Sequence, residues 1–324
     1  MTDTPTPDLC VIIVNWNVRD LLEACLTSVY RLTQGIRFEV CVVDNNSSDG
    51  SADMVRREFP QVRLITNREN AGFARANNEG LKARPGRYAL FLNPDCELID
   101  NAPGEMVAFM DAHREAAGLG CKLIFPEGTP QDSCRHFPSL FTDLMENIYL
   151  DACFPRSAFF NRIKMGQWGH DRLRPVDVAY GACLLVRGSV LEVVGSFDER
   201  FYLYYDEIDL CYRIKKAGGA IYFNPAIAVI HRANQSSRQI QIPSDRWKIR
   251  SKLLFFEKRY GRRGVTALVF NLLMNGLVVW AVLNLIHSIA GRPRDMRYFK
   301  DYFRFRWHEY MRFLKGPPGE VSGP

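Results

Sequence analysis

Four side chains have the chemistry to hold a cation or carry a proton, and each falls where one element gives way to another: Asp95, Asp206, Glu207 and His231. Asp95 ends the stretch Tyr88-Ala89-Leu90-Phe91-Leu92-Asn93-Pro94-Asp95. Five apolar, β-compatible residues predict a strand. Pro94, which has no N–H to donate and biases Asn93 to an extended backbone, predicts its end. A lone carboxylate at the carboxyl edge of a sheet suits a metal that carries phosphate oxygens, although Asn-Pro-Asp is also an ordinary turn sequence. Asp206 and Glu207 follow the aromatic run Phe201 to Tyr205 and open a helix that Gly218-Gly219 ends. Successive helical residues point about 100° apart, so one carboxylate can face a cleft while its neighbour supports it. Partial desolvation beside Tyr202, Tyr204 and Tyr205 raises a carboxyl pKa towards that of a general base. Asp209 has a simpler use, an i,i+4 pair with Arg213. His231 closes the apolar strand Ile227 to Ile230, with Asn234, Ser236, Ser237 and Arg238 just beyond. From there an imidazole can touch metal or phosphate.

Alternating strands and helices must position these groups. Leu9 to Val14 is a continuous apolar run in the style of a buried parallel strand. Leu21, Leu22, Cys25, Leu26 and Val29 then repeat at helical spacing. Further strands are expected at Phe38 to Val43 and Val62 to Ile65, with helices at Ala52 to Phe59 and from Asn70-Ala71-Gly72-Phe73 to Ala83. This order predicts βαβ units and an α/β fold with a mostly parallel sheet. The strands end in polar residues (Asn15, Asp44, Asn67 to Asn70, Asn93 to Asp95), which should face one crevice of the kind that binds nucleotides. No G-x-G-x-x-G follows the first strand and no G-x-x-x-x-G-K-[ST] occurs, which disfavours a dinucleotide dehydrogenase and a P-loop NTPase. A nucleotide diphosphate would therefore be met by a metal on Asp95 and by side chains. Phe125 to Arg174, rich in Pro and aromatics, reads as loops and short helices. Val176 to Val186 is expected as a strand around Gly181.

Several segments together resemble a known family: Val11-Ile12-Ile13-Val14-Asn15-Trp16, Val43-Asp44-Asn45-Asn46-Ser47-Ser48-Asp49-Gly50, Asn70-Ala71-Gly72-Phe73-Ala74 and Phe91-Leu92-Asn93-Pro94-Asp95. Gly181-Ala182, Phe197-Asp198 through Arg213, and His231 complete the set. Over roughly residues 9–240 the chain resembles the inverting family 2 glycosyltransferases of the GT-A fold, most of all the rhamnosyltransferase-like branch of bacterial polysaccharide synthesis. The resemblance implies a GT-A-type, Rossmann-like sheet flanked by helices in residues 1–245, with a nucleotide half at 9–123 and an acceptor and catalytic half at 124–245. It places Val14, Trp16, Asp44, Asn70, Arg75 and Asn93 against a nucleotide-diphosphate sugar, and Asp95 and His231 on a divalent cation, Mg or Mn. The family's catalytic base is the second acid of a Glu-Asp-x-Asp pattern. Here the order is Asp206-Glu207-Ile208-Asp209, so Glu207 takes the base position and Asp206 is a swapped neighbour, which leaves both as candidates. Asn93-Pro94-Asp95 offers one carboxylate where many relatives have two or three, so the cation should lean on the donor's diphosphate. The implied acceptor is a saccharide or lipid-linked hydroxyl, and dTDP-rhamnose is the expected donor. Competing readings are a sugar nucleotidyltransferase, which would share sheet and metal, and a non-catalytic saccharide-binding protein on the same fold. A glycosidase could use paired carboxylates but would need no nucleotide crevice.

The 324 residues are 47% hydrophobic and 24% charged, ordinary values for a packed core. Nine cysteines without a C-x-x-C pair read as reduced, packed thiols of a cytosolic compartment. Residues 1–8 lack the basic and apolar regions of a secretory signal. The net charge of +6 gathers after about residue 245. Arg246 to Tyr260 reads as a basic helix, and Gly264 to Gly291 carries no charge. Leu268 to Ile289 is long enough for a hydrocarbon core of about 30 Å, yet Asn271, Asn275-Gly276, Asn284 and His287 interrupt it. Lys258, Arg259, Arg262 and Arg263 precede this run, and Arg292, Arg294, Arg297 and Lys300 follow it. A single span would put one basic cluster on the wrong side. Residues 246–315 are therefore expected to be a helix or broken hairpin lying on the cytoplasmic face of the inner membrane. Tyr298 to Phe313 would then lie on anionic headgroups, and 316–324 would form a disordered tail. The alternatives for the apolar run are a homodimer interface or a packed core helix. No nucleic-acid-binding module accompanies the basic residues, so no nucleic-acid partner is expected.

Overall fold

The run Leu9 to Val14 is apolar at every position because its strand is buried on both faces. A computed structural model describes residues 6–83, 86–165, 168–233, 241–290 and 297–316. Asn234, Ser236, Ser237, Arg238, Arg292, Arg294 and the expected tail from 317 onward lie outside the described residues. The chain runs through β1 (Leu9–Asn15), α1 (Arg19–Leu32), β2 (Phe38–Asp44), α2 (Ser51–Glu58), β3 (Arg63–Thr66), α3 (Phe73–Ala83), β4 (Tyr88–Leu92) and β5 (Cys96–Leu98). It continues with α4 (Ala102–Ala112), β6 (Ala116–Ile124), β7 (Cys134–Arg135), α5 (Leu140–Asn147), α6 (Leu150–Cys153), β8 (Arg174–Val176), β9 (Val178–Ala179) and β10 (Cys183–Arg187). The last elements are α7 (Gly188–Val194), α8 (Asp206–Lys216), β11 (Ala220–His231), α9 (Gln241–Ala290) and α10 (Arg297–Lys315).

The main sheet has the order β3-β2-β1-β4-β10-β6-β11-β5, with β8 also paired to β11. From β3 to β4 every pair is parallel, as the βαβ pattern requires. Beyond β4 the sheet is mixed, because β10 enters antiparallel between β4 and β6 while β6 and β11 run parallel. Val176 to Val186 is not one strand. It divides into β8, β9 and β10, and the break at Tyr180-Gly181-Ala182 serves the site described below. The central strand β6 escapes sequence reading because its Ala- and Gly-rich start carries little strand signal. Its small residues have a packing reason, since a Cβ on Gly120 would lie 2.4 Å from that of Ala179.

Two compact units share the chain. Residues 1–135 and 170–241 form the sheet unit, and residues 136–169 with 242–324 form a helical unit. The segment 136–169, which sequence order puts inside the catalytic half, thus clusters with the C-terminal helices. Its α5 starts with a capping box in which Ser139 and Thr142 satisfy each other's backbone N–H groups. Buried Asp143 is paired with Lys252, and its Oδ2 accepts from Asn147 and Asn271, both at 2.9 Å. Asn275 donates to the Asn147 carbonyl at 2.6 Å, and Arg306 to Asn147 Oδ1 at 2.9 Å. Asn271 and Asn275 therefore lie on the inner, hydrogen-bonded face of α9, which makes burial of Asp143 tolerable. The outer face of α9 is apolar, with Phe270, Leu273, Leu277 and Trp280 each about half exposed. The break in this long helix falls at Gly261, whose φ of 66° a side chain would disfavour, and not inside the apolar run.

Candidate active site

Register alone brings Asn15 and Asp44 side by side, at the carboxyl ends of β1 and β2. Asn15 Nδ2 donates to Asp44 Oδ1 at 2.9 Å and to Ser47 Oγ at 3.1 Å, while Ser47 N donates to Asp44 Oδ2 at 3.0 Å. Asn17 and Asn46 take positive φ values of 53° and 63°, a conformation asparagine tolerates better than most residues. These bonds fix the loops after both strands into one polar ledge. Trp16 is partly exposed beside it, whereas the Val14 side chain is packed with Cys41, Val43 and Ala76 and so offers the ledge its backbone. Asn70 Oδ1 accepts from Gly72 N at 3.0 Å and its carbonyl accepts from the Tyr202 hydroxyl at 3.2 Å. Phe73 N donates to the Tyr202 carbonyl at 2.8 Å. A Cβ on Gly72, which has φ 82°, would come within 2.6 Å of the Tyr202 ring. The turn before α3 is thereby locked onto the aromatic run before α8. Arg75, exposed on α3, is paired with Glu79, whose Oε2 accepts from Asn67 Nδ2 at 2.8 Å, and the same Nδ2 donates to Asn45 Oδ1 at 2.9 Å beside the ledge.

Asp95 and His231 are brought together from 136 residues apart in sequence by the antiparallel pairing of β5 with β11, in which His231 faces Cys96. Asp95 Oδ1 and His231 Nε2 lie 3.4 Å apart, on side chains only 9% and 13% exposed. His231 Nδ1 is 2.9 Å from Gln131 Oε1, and Gln131 Nε2 donates to the His231 carbonyl at 2.5 Å. The second bond makes Oε1 the atom that faces the ring. Because Oε1 can only accept, Nδ1 carries a proton, and in the neutral ring Nε2 then presents a lone pair to the Asp95 carboxylate. Two acceptors facing each other across 3.4 Å suit a divalent cation between them. Cys96 Sγ lies in the same cluster, but burial first and the Asp95 charge second push its thiol pKa well up, so it remains a protonated donor to the Ala182 carbonyl. Asn93 Oδ1 beside them is buried without a hydrogen-bond partner among the described residues.

Asp206 and Glu207 open α8 after Tyr204 and Tyr205, which both hold positive φ, at 66° and 64°. Such geometry is costly for bulky residues and tends to cluster at functional sites. Asp206 is 3% exposed and its Oδ2 has no hydrogen-bond partner among the described residues. Burial drives its pKa well up and the adjacent Glu207 charge adds to that. Backbone N–H groups at the start of α8 act the other way, but burial and the Glu207 charge are the larger causes, so the net direction favours the protonated acid. Burial also raises Glu207, while the Arg135 guanidinium acts to lower it. Glu207 is the partly exposed member of the pair. Asp209 is structural: its Oδ2 accepts from Arg213 Nε at 2.8 Å, and the same guanidinium grips the carbonyls of Val194, Gly195 and Ser196.

The tripeptide Tyr180-Gly181-Ala182 joins these parts. The Ala182 carbonyl accepts from Asn93 N at 2.9 Å, and a Cβ on Gly181 would lie 3.2 Å from Glu207 Cβ. The Arg135 guanidinium stands over the Tyr180 ring at 4.4 Å. Gln131, Arg135 and Tyr180 were not legible as site residues, since they sit in the irregular stretch around β7 and β9 and carry no motif.

A family model described as Glycosyl transferase family 2 matches residues 10–181. The chain is 31% identical over 252 residues to the N-acetylglucosaminyl-diphospho-decaprenol L-rhamnosyltransferase of Mycobacterium tuberculosis, covering 73% of this chain and 78% of that protein. It is 28% identical over 196 residues to the rhamnosyltransferase WbbL of Escherichia coli, covering 58% of this chain and 71% of the relative. Among solved structures, the mannosyltransferase PcManGT of Pyrobaculum calidifontis, bound to GDP-Man and Mn2+, shares the fold with a TM-score of 0.53 at 15% identity, over 94% of this chain and 86% of that one. GalNAc-T7 with UDP, GalNAc and Mn2+ has a TM-score of 0.53 at 16% identity, over 71% of this chain and 44% of that one.

Proposed function

This chain belongs to glycosyl transferase family 2, and from that premise we propose that it transfers rhamnose, with inversion, from a dTDP-linked donor to a hydroxyl of a lipid-linked saccharide. The observation that carries the proposal is the facing pair of acceptors on Asp95 and His231, at the edge where Asn15 and Asp44 form a polar ledge. Asp95 and His231 would hold the cation, Mg or Mn, which when bound supplies positive charge for the departing diphosphate. The ledge around Asp44 and Trp16, with Asn70 and Asn93, would hold the nucleotide sugar. Glu207 would take the proton of the acceptor hydroxyl as that oxygen attacks the anomeric carbon from the face opposite the diphosphate. Neutral Asp206 beside it adds no second negative charge, which keeps Glu207 the one ionised acid of the pair. The rhamnosyl donor and the polyprenyl-diphosphate acceptor are suggested by the relatives' names.

A thermal-shift screen of the intact protein against UDP, dTDP and GDP, each with and without Mn2+, tests the donor site. Stabilisation of about 2.7 kcal/mol is expected at a ligand concentration 100-fold above Kd, for dTDP and only with the metal. No response to any nucleotide in the presence of Mn2+ would defeat the proposal.

A lipid-linked acceptor calls for a protein at a membrane surface. The apolar stretch of α9 is long enough to cross a bilayer but is only 28% buried. On α10 the exposed positions Lys300, Arg304, His308, Arg312 and Lys315 make a basic stripe. These features support a helix lying on the anionic cytoplasmic leaflet. In flotation assays the protein should rise with vesicles containing phosphatidylglycerol. A triple Phe270→Glu, Leu277→Glu, Trp280→Glu variant should stay behind. Equal flotation of the two would refute membrane docking through this face, and loss of a dimer in the variant would assign the face to a second copy.

A further inference from the structure

We infer that Gln131 is a positioning residue that fixes the tautomer of His231, so that a lone pair and not an N–H faces Asp95 and the cation is admitted between them. This rests on the proposed role of Asp95 and His231 in holding a divalent metal. Gln131 is itself held at both backbone ends. Its N–H donates to the Leu123 carbonyl at 2.9 Å, and its carbonyl accepts from Ser133 Oγ at 2.9 Å. Ser133 Oγ in turn accepts from Leu123 N at 2.9 Å, which anchors the loop to the end of β6. The side chain then clasps His231 twice, once at the carbonyl and once at Nδ1. The carbonyl contact matters because it sets the amide's orientation. A flipped amide would turn an N–H towards Nδ1 and select the opposite tautomer, placing an Nε2–H against Asp95 Oδ1. That arrangement would be a closed hydrogen bond with no room for a cation. A backbone carbonyl accepts but cannot donate, so His231 imposes on Gln131 the orientation that Gln131 returns to its ring. Partners that orient a ligating imidazole in this way commonly change metal affinity 10–100-fold when removed.

The test uses the full-length protein labelled with 15N-histidine, without metal and at a pH where imidazoles are neutral. Long-range 1H–15N spectra report the tautomer, with His231 assigned through His231→Asn. Mn2+ affinity in the presence of dTDP is read separately by electron paramagnetic resonance. Wild type should show His231 protonated at Nδ1. Gln131→Leu should shift it towards Nε2–H and weaken Mn2+ about 10–100-fold. Gln131→Glu, which keeps an acceptor facing Nδ1, should hold the wild-type tautomer and restore most of the affinity. An Nε2–H tautomer in wild type would overturn the inference, as would wild-type tautomer and affinity in Gln131→Leu. If the leucine variant does not fold, the wild-type spectrum and the glutamate variant decide. Absence of Mn2+ binding in wild type would instead remove the metal assignment, and the tautomer result would stand by itself.

Discussion

Glu207→Gln is expected to lower kcat by about 10²–10⁴-fold, the range that a positioned general base supplies, while the nucleotide sugar still binds. Glutamine keeps the size of the side chain and its packing beside Gly181, so only proton acceptance is removed. The acid limb of the pH profile provides a second reading of the same group. A base must be ionised to act, and burial raises Glu207. Activity should therefore be lost as pH falls through a value above the usual glutamate pKa of about 4.3, and the limb should vanish in the variant. Asp206→Asn is the internal control. Burial drives the pKa of Asp206 well up, and its replacement by a neutral side chain of similar shape should cost far less turnover. Steady-state kinetics on both variants settles the assignment. Full turnover in Glu207→Gln with loss in Asp206→Asn would move the base to Asp206.

Asp95→Ala should remove the metal-dependent stabilisation by nucleotide and lower activity about 10³-fold, since a bound cation contributes several kcal/mol to a transition state with developing negative charge and each 1.36 kcal/mol is a factor of ten. Excess Mn2+ should recover little of it. His231 then remains without its carboxylate partner, and the nearby Cys96 thiol is already engaged as a donor to the Ala182 carbonyl. Isothermal titration of Mn2+ and dTDP into the variant checks both halves. A variant that binds nucleotide and metal as wild type does would exclude Asp95 as a ligand.

These two residues also mark what a sequence can and cannot carry. Leu9 to Val14 and Tyr88 to Leu92 reveal themselves as strands because full burial on both faces demands unbroken apolar residues, and Pro94 announces the edge at which Asp95 stands. The contact of Asp95 with His231 depends on the register of β5 against β11, which no local pattern encodes. The ambiguity between Asp206 and Glu207 has the same origin. Their order in the chain says that they diverge, but the depth of each is set by packing around α8 from distant segments. Gln131 has no sequence signal at all, since its value lies in one amide meeting one imidazole 100 residues away. The helical extension was legible as apolar and basic, whereas the use of Asn271 and Asn275 was not. They look like flaws in a hydrophobic run until Asp143 and Asn147 supply the polar face that they cover.

The helical unit's divided origin bears on how the protein is made. Residues 136–169 are synthesised well before residues 242–324, with which they cluster. At about 5–20 residues per second, the ribosome needs roughly 4 to 15 s to pass from residue 169 to residue 242. Through that interval α5 has its capping box but not the asparagines of α9, so Asp143 and Asn147 have to stay hydrated. The sheet unit also finishes later than simple N-to-C order would suggest, because β8 to β11 follow the insertion and β10 must slot between β4 and β6. Nascent chains should therefore gain protease resistance in two late steps, the first when β11 has emerged and the second when α9 and α10 close over α5. A stop codon placed near residue 245 would leave the first step intact and strand the insertion with its polar face permanently open.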